Sequence, residues 1–405
     1  MRIGADKVVV HSRRESGAAL LLMLTVLILA GVALFLSLQD SGRQGAAAGG
    51  IHNAKTLSQA RYAIMASALA DDNRPGSLPC PDNDGSGTAA LFAGDQCPEY
   101  FFRLPHRTLD MVRPLDASGE SLWYALDPAF RRQTANTNQS PLNPDTTSSI
   151  TLNNQEGYAG VIIAPGPPAG AHQDDRDKSD EREQYLEAAN RFNDDEFEDC
   201  TGILDCNDRV IGIRVDPLFH PVQRRVLSVI ASALEDFHED RGYLPRPADF
   251  GDPALQCRPD NRLGLIPLEA PVVGAESGEG ECEGGEQLTK ENFDRGEDFD
   301  WLQNNEWFQF VVYRLHDQCT HDIEQCEDGD LEIDEDGGFA AVLGGAGRTL
   351  TDQARGPGSD VSDYLDQMPN IDPDTEKYVG YPLSTDDDDP SKHNNDVFSG
   401  VRMVP

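Results

Sequence analysis

Apolar residues follow distinct spacings in different stretches of the chain. From Ala18 to Leu38 they run with no charged residue. A helix of that length spans about 31 Å, which predicts a transmembrane segment. Arg2, Lys7, Arg13 and Arg14 precede the run and Asp40 follows it. The positive-inside rule then predicts a cytoplasmic N-terminus and an exported body. A secretory signal is the alternative, but its apolar stretch is normally shorter. Residues 39–50 are rich in Gly and Ala, a flexible connector. Ile51 to Asp71 places Leu57, Tyr62, Ile64, Met65, Ala68 and Leu69 at helical spacing, and Pro75-Gly76 stops that helix. Short apolar or alternating runs read as strands at Leu122–Leu126, Tyr158–Ala164, Val210–Val215, Phe308–Leu315, Phe339–Leu343 and Val397–Met403.

Several of these words occur twice, in the same order. Ala66-Ser67-Ala68-Leu69 returns as Ala231-Ser232-Ala233-Leu234. Ser77-Leu78-Pro79-Cys80-Pro81 returns as Tyr243-Leu244-Pro245-Arg246-Pro247. Gly157-Tyr158-Ala159-Gly160-Val161-Ile162 returns as Gly338-Phe339-Ala340-Ala341-Val342-Leu343. Tyr185-Leu186-Glu187 returns as Tyr364-Leu365-Asp366. The stretch from Asn207-Asp208 to Pro217 returns from Asn395-Asp396 to Pro405. Ordered repetition of this kind predicts tandem copies, at 51–217 and 218–405. In each copy a helix precedes short strands, which predicts an α+β module: one helix on a small antiparallel sheet with long loops.

Charge narrows the function classes. The chain has 405 residues with 71 Asp+Glu against 33 Lys+Arg, a formal net charge of −38. Such a surface repels nucleic acid. It suits cation-rich surroundings, and salt-adapted organisms show the same balance. The 8 cysteines fall in close pairs: Cys80 and Cys97, Cys200 and Cys206, Cys257 and Cys282, Cys319 and Cys326. An even set in an exported chain reads as disulfides, with the connectivity left open. No C-x-x-C motif occurs.

The segment Arg13-Arg14-Glu15-Ser16-Gly17, abutting Ala18-Ala19-Leu20, resembles the leader of type IV prepilins and type II secretion pseudopilins. The resemblance implies cleavage between Gly17 and Ala18 by prepilin peptidase and N-methylation of Ala18. It divides the chain into a leader (1–17), a transmembrane helix (18–38), the connector (39–50) and two pilin-like modules. Most such subunits carry Glu at the fifth mature position, where this chain has Leu22. In that family the subunits lacking it include the K-type minor pseudopilin, which sits at the filament tip. Leu78-Pro79-Cys80-Pro81-Asp82, followed by an Asp-Gly loop and a further cysteine, looks like a pattern of prepilin-like proteins.

Candidate chemistry is sparse. Asp82-Asn83-Asp84-Gly85, Asp328-Gly329-Asp330 and Asp334-Glu335-Asp336-Gly337 space hard oxygen ligands two apart beside a glycine, the disposition calcium favours. No run has the full EF-hand pattern. The likeness to pseudopilins, several of which hold structural calcium, points the same way. His316, Cys319, His321 and Cys326 could hold zinc, although in an oxidising compartment a Cys319–Cys326 disulfide is favoured. No G-x-S-x-G, H-E-x-x-H or P-loop occurs. Phe101-Phe102, Trp301 and Trp307-Phe308 read as core before contact surface.

The sequence thus predicts a non-enzymatic minor pilin-like or pseudopilin-like subunit, single-pass in the inner membrane, with a duplicated head at a filament tip. Its partners would be other pilins through the N-terminal helix, prepilin peptidase and the membrane. Pilus and type II secretion stay equal alternatives. A membrane-anchored binding or adhesion protein that enters no filament is the other reading.

Overall fold

The computed structural model describes residues 48–402 except 93–94, 134–139, 169–175, 177–180, 193, 202, 204–205, 251, 258–261, 270–286, 317–318, 320–329, 351–352, 357, 367–369 and 381–395; for 252–257 only the backbone is described. The chain forms two compact units, Met1–Ala54 and Lys55–Pro405. Residues 48–54 of the first are helical.

Helix α1 (55–69) buries Leu57, Ala60, Ile64 and Ala68, spaced to lie along one face, and leaves Tyr62 exposed. Helix α2 (Val215–Arg241) buries Leu218, Phe219, Val222, Val226, Leu227, Ile230, Ala233, Leu234 and Phe237. Its Pro217 sits in the first turn, where no intrahelical donor is needed, and Pro221 lies inside the helix. Gly242 ends it in the left-handed region at φ 77°, donating its N–H to the His238 carbonyl at 2.7 Å. Helix α3 (Gly296–Asn304) is short and buries Phe299, Trp301 and Leu302.

The first sheet contains β1 (Phe101–Arg103), β2 (Trp123–Leu126), β3 (Ile150–Leu152), β4 (Gln155–Ala164), β5 (Glu196–Phe197) and β6 (Arg209–Arg214). The long β4 is antiparallel to β2, β3 and β6, while β5 runs parallel to β3. The second sheet contains β7 (Ala248–Asp249), β8 (Asp252–Cys257), β9 (Leu263–Leu265), β10 (Val311–Leu315), β13 (Ala341–Gly345) and β15 (Val397–Val401), in the order β15-β13-β10-β9-β7-β8. A three-stranded sheet is built from β11 (Leu331–Ile333), β12 (Asp336–Phe339) and β14 (Lys377–Tyr378).

Register repeats between the halves. Ile150 pairs with Tyr158 and Leu152 with Gln155; Leu331 pairs with Phe339 and Ile333 with Asp336. Thr151 pairs with Glu196 and Glu332 with Lys377, both in parallel. The β3–β4 turn holds Asn153 and Asn154 at φ 52° and 63°, and the β11–β12 turn holds Asp334 and Glu335 at 51° and 69°. Two consecutive positive φ values are what a tight hairpin of this twist demands.

Alternation divides each sheet's side chains between two faces. Tyr124, Leu126, Ile162 and Ala164 of the first sheet, and Val311, Tyr313, Leu315 and Leu343 of the second, enter one continuous core with α1, α2 and α3. On the outer face of the first sheet, Trp123, Val161 and Ile163 pack with Tyr185, Leu186 and Phe197. On that of the second, Val312 and Val342 pack with Tyr364, Leu365 and Tyr378.

The fold is not a transmembrane helix followed by two modules, each with one helix on its own small sheet. It is a mixed α+β body of several sheets in which α2 packs on strands of both halves, because one helix face cannot cover six strands. Nor does the structure supply a membrane helix: among the described residues no helix is long and apolar enough to cross a membrane. The longest of them, α2, is amphipathic, carrying the exposed Arg224, Glu235 and Glu239 opposite its buried face. The span expected at 18–38, the leader at 1–17 and residues 39–47 of the connector lie outside the described residues. The expected single-pass inner-membrane localisation, which rested on that helix, is corrected with it.

Candidate functional site

Disulfides fix the loops around the first sheet. Cys80 is bonded to Cys97 and Cys200 to Cys206, closing sequence separations of 17 and 6 residues. Cys319 is also disulfide-bonded, to a partner outside the described side chains. Cys282 and Cys326 lie outside the described residues, and Cys257 is described only in its backbone. Cys319, being bonded, is removed from the zinc reading, and His321 is not described.

The loop after Cys80 turns inward on Asp82, which is 2% exposed. Its Oδ1 accepts the Asp84 N–H at 3.2 Å and its Oδ2 the Gly87 N–H at 2.7 Å. Burial raises the Asp82 pKa. The fully exposed Asp84 is shifted the opposite way, chiefly by bonding to Ser86. Asp82 is thus engaged in shaping its own loop. Of the other calcium candidates, Asp328 is outside the described residues and Asp330 is exposed. Asp334 accepts the Gly380 N–H at 2.8 Å, and Asp336 pairs with Arg402 at 2.6 Å. Asp334 and Asp336 therefore face different partners. Among the described residues, no group of three or more His, Cys, Asp and Glu is placed to hold a metal. Gly17 and Ala18 are not described.

Asp82 also walls a polar cavity of about 250 Å³ with Arg103, His106, Arg113, Glu120 and Tyr185. The Arg103 guanidinium lies 4.0 Å from the Trp123 ring centre and 4.2 Å from that of Tyr185, and donates to the Ser121 carbonyl at 3.2 Å. Arg113 donates through Nε and Nη2 to Ser121 Oγ at 2.8 and 2.6 Å. Ser121 Oγ therefore accepts from a cation. Burial, then Arg107 and Arg113, depress the His106 pKa, which leaves the ring neutral at pH 7. These contacts build no nucleophile–base pair.

A larger cleft of about 590 Å³ lies in the second half, between α2 and the start of β15. His220, Arg224 and Leu227 face Asp334, Asp396 and Phe398 across it. Burial and Arg224 lower the His220 pKa.

Two paired structural devices escaped the sequence reading. Arg176 donates to the carbonyls of Gly166, Gln184 and Tyr185 at 2.7, 2.9 and 3.0 Å. Arg355 does the same to Gly347, Asp363 and Tyr364 at 2.9, 3.0 and 3.5 Å. Next to each staple lies a pair of acids. Asp208 Oδ2 accepts the Glu187 N–H at 2.9 Å, and Asp396 Oδ2 accepts the Asp366 N–H at 2.8 Å. The repeated words Tyr-Leu-acid and Asn-Asp were the available signal. They mark the positions without stating the contact.

No family model matches the chain, and no curated protein or solved structure matches it.

Proposed function

We propose that the chain is a non-enzymatic structural subunit of the prepilin type, whose body from residue 55 onward forms a duplicated head. The observation that supports it is the repetition itself: two halves with the same strand register share one core. Duplication of that kind enlarges a surface without creating a catalytic constellation. The leader-like junction at Gly17–Ala18 supplies the route into an assembly with other pilin-type subunits. N-terminal mass spectrometry of the protein isolated from its own cells tests the reading. A mature chain beginning at N-methyl-Ala18 is expected. Retention of Met1, or a start near residues 39–45, overturns it.

A binding protein that enters no assembly is the second reading, favoured by the 590 Å³ cleft beside β15. It predicts an unprocessed or signal-cleaved chain in the same experiment.

A further inference from the structure

We propose that the carboxyl pairs Glu187–Asp208 and Asp366–Asp396 are proton-holding latches, which fasten equivalent loops to the residue just ahead of β6 and of β15 and loosen as pH rises. This goes beyond the structural role above and does not depend on it.

The geometry of the first pair carries the argument. Asp208 is fully buried and immediately precedes β6. Its Oδ2 takes both local donors, the Glu187 N–H at 2.9 Å and Asn190 Nδ2 at 2.9 Å. Its Oδ1 is buried with no hydrogen-bond partner among the described residues. The neighbour in reach is the Glu187 carboxyl, itself 3% exposed, whose Oε2 accepts the Asn207 N–H at 3.1 Å. Two facing carboxylates in such a place repel one another and are poorly solvated. A single proton between them turns the repulsion into an O–H···O⁻ hydrogen bond. The charged group next along the strand, Arg209, is already paired with Asp199 at 3.0 Å.

The second half repeats the arrangement with different surroundings. Asp396 precedes β15 and is 3% exposed. Asp366 faces it, and Arg355 and the Gly347 N–H favour its charged form. His220, Arg224 and Asp334 line the same cleft. Even so, burial and Asp366 hold Asp396 well above the ordinary carboxylate range. In the first half burial and Glu187 push Asp208 up to about 8.

The sign follows from linkage. The folded state keeps a proton that the unfolded chain releases near pH 4, so stability falls with rising pH until the folded group titrates. For Asp208 that loss is complete as pH passes through about 8. The depressed His106, His220 and His238 act in the opposite sense, but below about pH 6.5. A window from pH 7 to 8.5 therefore isolates the acid pairs.

The experiment compares melting temperatures of the full chain at pH 7 and 8.5, for the wild type and for Asp208→Asn/Asp396→Asn, which retains an acceptor and carries no charge. The wild type is expected to lose about 3 °C across the window and the double variant less than about 1 °C. Amide exchange by mass spectrometry, corrected for intrinsic pH dependence, should show protection near residues 185–191 falling only in the wild type. A flat wild-type profile, or an equal slope in the variant, overturns the proposal. So does recovery of the wild-type loss on adding calcium chloride at pH 8.5, which would make a metal ion the occupant. If the double variant fails to fold, Glu187→Gln/Asp366→Asn neutralises the other member of each pair and is read in the same way.

Discussion

Replacing Phe219 by alanine should cost about 4 kcal/mol, because this ring packs against both halves of the body. Phe219 is 2% exposed. Its centroid stands 6.0 Å from that of Phe130 in the first half and 5.8 Å from that of Trp307 in the second. A β-carbon built at Gly76 would approach the ring to 2.9 Å, so the backbone after α1 is also seated on it. Truncating a buried phenylalanine costs about 3–5 kcal/mol from lost transfer energy and the residual cavity. Each edge or tilted ring contact adds about 0.5–1.5 kcal/mol. Gly76 and Leu142 can collapse partly into the space, which holds the sum near the middle of the range. Equilibrium urea unfolding is the assay. Trp123 reports on the outer cluster of the first half, while Trp301 and Trp307 report on the shared core. Wild type and variant should each give one transition, the variant at lower midpoint with unchanged slope. A loss below about 1.5 kcal/mol, or separate wild-type transitions at the two sets of tryptophans, would refute the idea of a shared core.

Arg225 of α2 donates to the Leu69 and Asp71 carbonyls at the end of α1, at 2.8 and 2.9 Å, and lies 5.1 Å from the Trp301 ring. Arg225→Ala should lower stability by about 2–3 kcal/mol, read from the same urea curves. Glu335 is exposed in the β11–β12 turn at φ 69°, where the equivalent residue of the first half is Asn154. Glu335→Asn should raise stability by about 0.5–1 kcal/mol and the melting temperature by a degree or two, since asparagine accepts the left-handed region more readily. A lower melting temperature would mean that the side chain contributes more than its backbone conformation costs.

Strand positions were legible because alternation and turn residues are local signals. Leu122–Leu126, Tyr158–Ala164 and Val210–Val215 coincide with β2, the second half of β4 and most of β6. Phe308–Leu315 was less so. Trp307–Phe310 forms a 3-10 turn ahead of β10, since its rings are drawn into the core with Phe219. The helix after the connector was also legible, but its inward face is Leu57, Ala60, Ile64 and Ala68, with Tyr62 left outside. What the sequence hid is the sharing of α2 between the halves, because an amphipathic face does not name its partner. It also hid the acid pairs. Glu187 and Asp208 read as two more carboxylates among 71 acidic residues, and only the fold brings them together.

The two halves share what the scaffold needs and differ in what each builds on it. The arginine staples and the acid pairs recur because each satisfies backbone groups that the strand arrangement leaves unpaired. Other side chains differ. Arg103 is paired with Trp123 on β1 and β2, and at the corresponding register on β9 and β10 stand Leu265 and Val312. That exchange gives the first half a polar cavity walled by Asp82, His106 and Arg113. In the second half Leu265 and Val312 pack in an apolar cluster with Ala248, and open space lies instead beside α2. A body duplicated this way carries two chemically different cavities on one backbone plan. Under the assembly role proposed above, unlike surfaces give unlike neighbours separate contact chemistry, which two identical copies would not supply.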